Sequence, residues 1–250
     1  MKAGKKDILG KVLLLGERAF IVDISQKKFS SNYGEVDLTK VRRHGQVVRS
    51  NTGYEFVVLK PTITDLLRKA KRMPQIITAK DAGQIIAHTG VCSGWYCLDA
   101  GSGSGFMAIF LGNIVHPNGS IITYEKNKVF YDNAKKNIEF CGLDDVVKIK
   151  NMPAERFNER NLDLIVLDMI NAEKMVKKCY KSLKPGGWLV IYSPHIEQQK
   201  RVRSEVAKNN FIQIKTIQTQ QTEWQISNYT HPKPTQLVHT GFITFARKTF

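Results

Sequence analysis

A glycine-rich segment between a predicted strand and a predicted helix constrains the fold of this chain most strongly. Residues 99–105 read Asp-Ala-Gly-Ser-Gly-Ser-Gly, with an apolar run at 95–98 before them and another at 106–111 after them. Glycine at alternate positions permits a tight turn and lets a ligand approach the backbone closely. The unpaired N–H groups at the start of the helix suit a polar or anionic ligand. The loop alone does not distinguish a ligand site from a simple tight turn.

An acidic residue after the next apolar run supports the ligand interpretation. Glu125 follows the run 120–124 and lies 20 residues beyond Gly105. A carboxylate at the end of a second parallel strand is placed to hold a ribose diol. The glycine spacing differs from the dinucleotide pattern Gly-x-Gly-x-x-Gly and lacks the Gly-Lys-Ser/Thr ending of a phosphate-binding loop. This combination resembles the S-adenosylmethionine site of class I methyltransferases.

From residue 95 onward, short apolar runs alternate with helical patterns. The predicted strands are 95–100, 120–125, 146–150, 162–168 and 187–192, and the predicted helices are 103–115, 127–141, 172–183 and 197–209. Such alternation predicts an α/β fold with a doubly wound, Rossmann-like parallel sheet. Lys-Pro-Gly-Gly at 184–187 is predicted to be a turn. Two later β-rich runs, 211–219 and 240–247, fit the antiparallel strands that end a class I methyltransferase sheet.

The first third of the chain predicts a separate small module. Runs at 12–15, 19–24 and 54–59 predict strands of a β-barrel-like N-terminal domain. A helix predicted over 62–71 follows, and its polar face carries Arg68, Lys69 and Arg72. That face fits solvent exposure and phosphate contact equally well. The predicted domains are therefore 1–60 (small β domain), 61–94 (helical connector) and 95–250 (catalytic domain).

The charge balance points to a polyanionic partner. The chain has 38 Lys and Arg against 22 Asp and Glu, a net charge of +16, and a pI near 9.7. Nucleic acid is the simplest such partner, and solubility alone is the alternative. Hydrophobic residues make up 42% of the chain, which argues against general disorder.

Cysteine usage and hydropathy indicate the compartment. The four cysteines form no Cys-x-x-Cys pair, and Cys97 and Cys179 lie in apolar runs, so we expect reduced core thiols in a cytoplasmic protein without a metal site. No apolar stretch reaches about 18 residues, and the N-terminus lacks an apolar segment. We therefore expect neither a membrane span nor a secretory signal.

Asp168 is the strongest candidate for a catalytic group. It follows the apolar run 162–167, at the strand edge that faces the ligand crevice in open parallel sheets. The alternative is that Asp168 caps the next helix. His195, just after Pro194, is expected near the same edge and is a candidate for substrate contact. His239 is expected to be structural.

Together these segments resemble the tRNA (adenine-N1)-methyltransferase family, which modifies adenosine 58 of the TΨC loop and, in archaeal-type members, also adenosine 57. The matching stretches are residues 72–77, 99–105, 124–125, 167–169, 183–187, 192–194 and 239–242. The resemblance implies S-adenosylmethionine as cofactor, tRNA as substrate and a homotetramer. The cofactor-binding residues that follow from it are Ile77, Gly101, Ser102, Gly103, Ser104, Gly105, Phe106, Glu125 and Asp168. Asp168 is also the implied catalytic carboxylate, and the candidate substrate-binding residues are Thr78, Arg68, Arg72 and His195.

Four positions depart from the family pattern. Thr78 stands where members carry an aromatic residue or His, and Thr cannot stack on a flipped adenine. Ile170 replaces a common Pro, Pro153 an acid expected beside the cofactor adenine, and Phe130 a common Arg. Two alternatives remain open at this stage. One is a catalytically weak or non-catalytic tRNA-binding member of the family, and the other is a class I methyltransferase with a different substrate.

Overall fold

The computed structural model describes residues 10–73, 76–234 and 239–250. Within these ranges the chain forms two compact units, with the division between Ala70 and Lys71. The assignment of domains to 1–60, 61–94 and 95–250 stays a prediction.

The N-terminal unit is built on an antiparallel sheet. The described strands of this unit are β1 (Lys11–Leu15), β2 (Ala19–Asp23), β3 (Lys28–Ser31), β4 (Gly34–Asp37), β5 (Val47–Arg49) and β6 (Glu55–Leu59). The main sheet has the order β2-β1-β6-β5, and β3 and β4 form a separate hairpin. Alternate apolar residues such as Val12, Leu14 and Phe56 are fully buried and form the core of this unit. The predicted strands at 12–15, 19–24 and 54–59 are confirmed.

A short helix, α1 (Ile63–Lys69), completes this unit. Thr62 caps it by accepting a hydrogen bond from the backbone N–H of Asp65, whose carboxylate accepts in return from the Thr62 N–H. The predicted helix over 62–71 is therefore too long at its C-terminal end. Arg72 does not share a helical face with Arg68, and that part of the prediction is wrong.

The second unit is organised around a mixed sheet. Its seven described strands are β7 (Tyr96–Ala100), β8 (Ser120–Tyr124), β9 (Val147–Lys150), β10 (Leu162–Asp168), β11 (Leu183–Ser193), β12 (Phe211–Gln218) and β15 (Phe242–Lys248). Between β12 and β15 the chain forms a separate hairpin of two short strands, β13 (Trp224–Gln225) and β14 (His231–Pro232). The order is β12-β15-β11-β10-β7-β8-β9. Five strands run parallel, and β15 pairs antiparallel with both β11 and β12. The predicted doubly wound sheet with antiparallel strands at its end is confirmed.

Five described α-helices accompany this sheet, and three of them connect successive parallel strands. They are α2 (Ala79–Thr89), α3 (Phe106–Val115), α4 (Lys128–Cys141), α5 (Val176–Ser182) and α6 (Ile196–Lys208). The last four agree with the predicted helices, except that α3 begins at Phe106 and not at residue 103, and that the first turn of the helix expected over 172–183 is a 3₁₀ turn, Ala172–Met175. The sheet and its helices bury an apolar core that includes Leu98, Ile165 and Ile191.

The Lys-Pro-Gly-Gly segment differs from its predicted turn. Residues 184–187 belong to the start of strand β11, and the register with β10 shifts between Leu162 and Leu164. Gly186 has a φ of +79°, so glycine supplies the positive dihedral as expected, but it does so in an irregular stretch of strand. A parallel strand can therefore begin directly after α5 without a separate turn.

The structure also bears on the hydropathy and cysteine predictions. Among the described residues, none of the helices has the length and apolarity to cross a bilayer. Cys97 and Cys179 are fully buried, as predicted, and burial raises the pKa of the Cys179 thiol to about 12. Neither thiol is therefore poised to react as a thiolate at neutral pH.

Candidate active site

A cleft opens where the strand order reverses beside β7. The chain proceeds from β7 outward through β8 and β9 and then returns to form β10 on the other side of β7. Ligands bind at such a switch point, outside the carboxyl ends of the strands. The cleft has a volume of about 260 Å³ including the solvent at its mouth, and it is lined by Ile76, Ile77, Asp99, Gly101, Ser102, Ser104, Phe106, Met107 and Asp168.

Gly101 brings two strand ends together at the floor of this cleft. Its φ is +81°, and a Cβ placed there would lie 1.9 Å from the backbone oxygen of Asp168. Any side chain would therefore push β10 away from the loop, besides straining the backbone. The sequence predicts that glycine here lets a ligand approach the backbone. The structure shows that the absence of a side chain at Gly101 is also needed for the close packing of the loop against the backbone of Asp168.

Glu125 is fixed over the glycine loop by backbone donors. Its Oε2 accepts a hydrogen bond from the N–H of Gly103 at 3.0 Å, and its Oε1 accepts from the N–H of Asn127 at 2.8 Å. The Asn151 amide donates to the Glu125 backbone oxygen at 2.8 Å, which ties the end of β8 to the segment after β9. The carboxylate is buried, and each oxygen keeps a lone pair for a ligand hydroxyl.

The two serines of the loop have different surroundings. Ser102 Oγ is buried and has no hydrogen-bond partner among the described residues. Because an unsatisfied buried hydroxyl is costly, it is an expected contact for a ligand in the cleft. Ser104 Oγ instead accepts a hydrogen bond from the Met73 N–H at 2.7 Å, so its side chain holds the segment before the cleft.

Asp168 lies at the carboxyl end of β10 with its carboxylate toward the cleft. It is partly buried, and its side chain makes no hydrogen bond or ion pair with the part of the chain that the structure describes. Burial, reinforced by the nearby Asp99 carboxylate, raises the pKa of Asp168 to about 7. The N-cap position of the 3₁₀ turn that follows is Asn171, so Asp168 does not serve as a helix cap.

Asp99 is a second buried carboxylate on the wall of the cleft, and sequence analysis did not assign it a role. Its Oδ2 accepts a hydrogen bond from Thr123 Oγ1 at 2.6 Å. Burial and, to a smaller extent, the Glu125 carboxylate raise the pKa of Asp99 to about 6 against the opposing effect of that hydrogen bond. Three carboxylates therefore converge on one edge of the sheet, which favours a ligand that carries positive charge.

The segment before α2 forms a wall of the cleft and is held by α4. The Asn137 amide donates to the backbone oxygens of Lys71 and Ser104 at 2.9 Å each, and its oxygen accepts from the Lys71 N–H at 3.1 Å. Asn133 adds a hydrogen bond to the same Lys71 oxygen at 3.0 Å. These bonds use the backbone groups of Lys71 that a longer α1 would need. The Arg72 guanidinium, in turn, lies 5.7 Å from the centre of the Phe106 ring.

A buried polar network lies beside the start of α2. The Asp81 carboxylate, which has no solvent exposure, pairs with Lys80 at 2.7 Å and accepts hydrogen bonds from Thr78 Oγ1 at 3.0 Å and Thr240 Oγ1 at 2.7 Å. Tyr192 joins it by donating to the Thr240 backbone oxygen at 2.6 Å. The Thr78 hydroxyl is therefore engaged by the protein's own network. Of these residues only Thr78 was a candidate from sequence.

The remaining predicted site residues lie elsewhere. His195 is exposed at the N-terminus of α6 and is not among the residues that line the cleft. Arg68 is exposed on α1 in the N-terminal unit. Residues 74 and 75 of the Pro-Gln-Ile-Ile motif lie outside the described residues. His239 makes the contacts of a structural residue, with its ring nitrogens at 3.0 Å from the Pro194 oxygen and the Gln218 amide nitrogen.

The positions that depart from the family pattern are distributed around the site. Ile170 is 82% exposed in the turn after Asp168. Pro153 precedes the short 3₁₀ turn Ala154–Arg156, after β9. Phe130 lies in the first turn of α4, where its N–H donates to the Asn127 side chain at 3.3 Å. None of the three lines the cleft.

Comparison with known proteins places this fold and site in a family. The model of the family described as tRNA methyltransferase complex GCD14 subunit matches residues 56–238. A Methanocaldococcus jannaschii protein named tRNA (adenine(57)-N(1)/adenine(58)-N(1))-methyltransferase TrmI is 30% identical, and the match covers 94% of each chain.

Two solved structures support the same assignment of the fold. A Thermotoga maritima protein described as a SAM-dependent O-methyltransferase is 28% identical, covers 99% of this chain and 95% of its own, and has a TM-score of 0.82. The structure of tRNA (m1A58) methyltransferase TrmI from Aquifex aeolicus has the same fold, with a TM-score of 0.77 at 23% identity over 98% of this chain and all of its own. The chain has the fold of class I methyltransferases, and it belongs to the GCD14 family of tRNA methyltransferase subunits.

Proposed function

We propose that this chain transfers a methyl group from S-adenosylmethionine to N1 of an adenosine in tRNA, at position 58 and also at 57. The observation that carries the proposal is the Asp168 carboxylate, which no described residue hydrogen-bonds, at the switch-point cleft of a GCD14-family chain. The name of the archaeal relative, which is similar over almost the whole chain, specifies these two adenines.

The residues at the cleft fit the cofactor. Ser102 Oγ offers a buried hydroxyl that no described residue hydrogen-bonds, and Glu125 presents a carboxylate for a ribose diol. Gly101, Gly103, Ser104 and Gly105 bring the backbone close, while Ile77, Phe106 and Asp168 would complete the binding residues. When bound, S-adenosylmethionine supplies a methyl group on a positively charged sulfur, and the three converging carboxylates favour that charge.

Asp168 orients the base and stabilises the product charge. Its carboxylate accepts a hydrogen bond from the exocyclic amino group of adenine, which turns N1 toward the transferred methyl group. The bond from carbon to sulfur breaks as the bond from carbon to N1 forms, so positive charge moves from sulfur to the adenine ring. The fixed carboxylate then interacts more strongly with the ring than before transfer, which lowers the barrier.

The substrate contacts are proposed from position and charge. Thr78 lies at the start of α2, next to the cleft residue Ile77, and Arg72 lies over Phe106 at the same wall. Arg68 and His195 are exposed and would contact the tRNA outside the cleft. The net charge of +16 supports a polyanionic partner of this kind.

We propose a homotetramer in the cytoplasm as the working form. The β13–β14 hairpin supports self-association because Trp224, Ile226 and Tyr229 are 53%, 84% and 85% exposed. Sedimentation equilibrium would measure the mass. Replacing Ile226 and Tyr229 by Ser should reduce the mass if this hairpin forms the interface, whereas a wild-type mass equal to the 28.4 kDa chain would contradict the tetramer.

The function is tested by incubating the protein with labelled S-adenosylmethionine and an unmodified tRNA transcript. Digestion and mass spectrometry should identify 1-methyladenosine, and substitutions of the transcript at 57 and 58 should locate it. Methyl transfer to an oxygen, the reaction for which the Thermotoga protein is named, would contradict the proposal. Tight tRNA binding without transfer would instead indicate a non-catalytic subunit.

A further inference from the structure

The loop between the 3₁₀ turn Leu38–Lys40 and strand β5 concentrates positive charge on the N-terminal unit. Residues 40–46, termed the basic loop here, expose Lys40, Arg42, Arg43 and His44 to solvent. Over residues 38–60, five Lys and Arg residues face one acidic residue, Glu55. None of the sequence motifs assigned above accounts for this concentration.

A single side chain organises the backbone of the basic loop. Gln46 Oε1 accepts hydrogen bonds from the N–H groups of Arg42 at 2.9 Å and Arg43 at 3.4 Å, and Gln46 Nε2 donates to the Lys40 backbone oxygen at 2.9 Å. One amide thus satisfies three backbone groups that a loop of this length would otherwise leave to water. The basic side chains are therefore presented from a defined backbone.

Both ends of the basic loop are anchored in the unit. Leu38 and Val41 are buried in its core, each with 2% exposure. The Gly45 N–H donates to the Val58 oxygen at 2.7 Å, and the Val58 N–H donates to the Gln46 oxygen at 2.8 Å, which continues the ladder of β6. A loop held in this way loses little conformational entropy when a partner binds.

Within the described residues of the N-terminal unit, acidic side chains neutralise the charge of the basic loop only in part, by the ion pair of Asp37 with Lys40. Glu55 pairs with Arg49 at 2.6 Å and Glu35 with Lys28 at 2.8 Å, so two nearby acids are already occupied. Asp37 accepts from Thr39 and lies 3.7 Å from Lys40. The Arg42 guanidinium donates to the backbone oxygens of Thr39 and Val41.

Arg43 has no side-chain partner among the described residues. A guanidinium whose donors are not used by the described residues can bind a phosphate in bidentate geometry, and each such contact releases counterions from a nucleic acid. We infer that the basic loop is an RNA-binding surface that contacts the phosphate backbone of the tRNA. The inference rests on the proposed function for the identity of the RNA.

The test compares two single substitutions that remove the same charge. Arg43→Gln removes the unpartnered guanidinium, whereas Arg49→Gln removes a guanidinium already paired with Glu55. Binding of an unmodified tRNA transcript is measured by fluorescence anisotropy from about 50 to 200 mM salt. Arg43→Gln should weaken binding about 5- to 10-fold at the lower salt and reduce the slope of log K against log salt by about 0.9 for one lost phosphate contact. Arg49→Gln should change both by less than half as much.

A third variant separates organisation from charge. Gln46→Ala keeps the net charge but removes the three hydrogen bonds that fix the loop, so affinity should fall several-fold while the charge-dependent slope changes little. Circular dichroism and S-adenosylmethionine binding confirm that each variant is folded. If Arg43→Gln matches Arg49→Gln in affinity and slope, the inference is wrong. If poly-glutamate binding falls instead of tRNA binding, the loop is a surface for an acidic protein, and the inference is equally overturned.

The outcome for this loop is independent of the outcome for catalysis. A protein that binds tRNA through Arg43 but forms no 1-methyladenosine would contradict the proposed function and support the basic loop. If the protein forms 1-methyladenosine but Arg43→Gln leaves the affinity for tRNA unchanged, the proposed function is supported and the inference about the basic loop is contradicted.

Discussion

At the scale of single residues, Asp168 combines a position at the cleft, for which we propose a catalytic role, with an energetic cost. Its carboxylate faces the cleft without a partner among the described residues, beside the buried Asp99. Asp168→Asn keeps the size of the side chain but removes the charge that we propose stabilises the methylated ring. We expect a loss of about 10²-fold or more in the single-turnover rate at saturating cofactor. The affinity for tRNA should remain, because phosphate contacts supply most of it. A wild-type rate would exclude a catalytic role for Asp168.

The raised pKa of Asp168 also predicts how stability depends on pH. In the folded protein this pKa is about 7, above the usual value of about 3.9 in an unfolded chain. The folded state therefore holds the proton more tightly, and the stability associated with this group is present below pH 4 and is lost as the pH rises through 7.

Asp168→Asn should remove this pH-dependent loss. The variant should match the wild type at pH 4 and gain up to about 4 kcal/mol in free energy of unfolding at pH 8, without ligand. Urea unfolding at the two pH values measures the difference. Equal effects at both pH values would show that the substitution acts through packing and not through the charge.

Glu125 provides a test at a residue with defined hydrogen bonds. Glu125→Ala removes the acceptors for the N–H groups of Gly103 and Asn127 as well as the proposed contact with the ribose. We expect at least a 10-fold loss in affinity for S-adenosylmethionine by calorimetry. Glu125→Gln keeps one acceptor oxygen and serves as the conservative control, with a smaller loss. Unchanged affinity in the alanine variant would contradict the ribose assignment.

At the scale of secondary-structure elements, the predictable parts are those specified by local pattern. The apolar runs of β7 and β10 and the glycines between β7 and α3 predict the sheet and the position of Asp168, because both signals are contained in a few consecutive residues. The short strands β3, β4 and β5 were missed since they have only three or four residues each and little apolar alternation.

Contacts between distant parts of the chain could not be predicted in this way. Asn137 meets Lys71 across 66 positions of sequence, and Lys80 meets Thr240 across 160. Neither pair leaves a periodic or compositional signal, because a buried polar side chain in one segment reports nothing about its partner in another. The early end of α1 and the network around Asp81 both depend on such pairs.

Asn137 tests whether α4 holds the wall of the cleft. Asn137→Ala removes three hydrogen bonds to Lys71 and Ser104, whereas Asn133→Ala removes one bond to Lys71. We expect a loss of about 2–4 kcal/mol in stability for Asn137→Ala, a smaller loss for Asn133→Ala, and weaker cofactor binding for the former. Differential scanning calorimetry and cofactor titration measure the two effects. Equal losses for both variants would contradict the proposal that Asn137 holds the wall of the cleft in place.

At the scale of the whole molecule, the net positive charge of the chain and the acidic residues at the cleft suit different ligands. Two carboxylates, Asp99 and Asp168, line the cleft, and a third, Glu125, lies against the glycine loop at the same strand edge, in a chain whose net charge is +16. Local negative charge suits a cationic sulfur and a ring that becomes positive. The excess of basic residues elsewhere suits a polyanion. The same chain can thus attract tRNA over a broad surface and still stabilise positive charge where the chemistry takes place.

This division predicts different salt responses for the two ligands. Binding of tRNA should weaken steeply with salt, because every neutralised phosphate releases a counterion. Six contacts would give a slope of about −5 in log K against log salt, or roughly a 10³-fold loss from 50 to 200 mM. Binding of S-adenosylmethionine should change little over the same range. The cofactor is not a polyelectrolyte, so its binding releases no condensed counterions, and charges in a partly buried cleft are screened less by salt. Anisotropy for tRNA and calorimetry for the cofactor provide the comparison on one protein sample. A tRNA slope near zero would identify nucleic acid as the wrong partner class, whatever the behaviour of the cofactor.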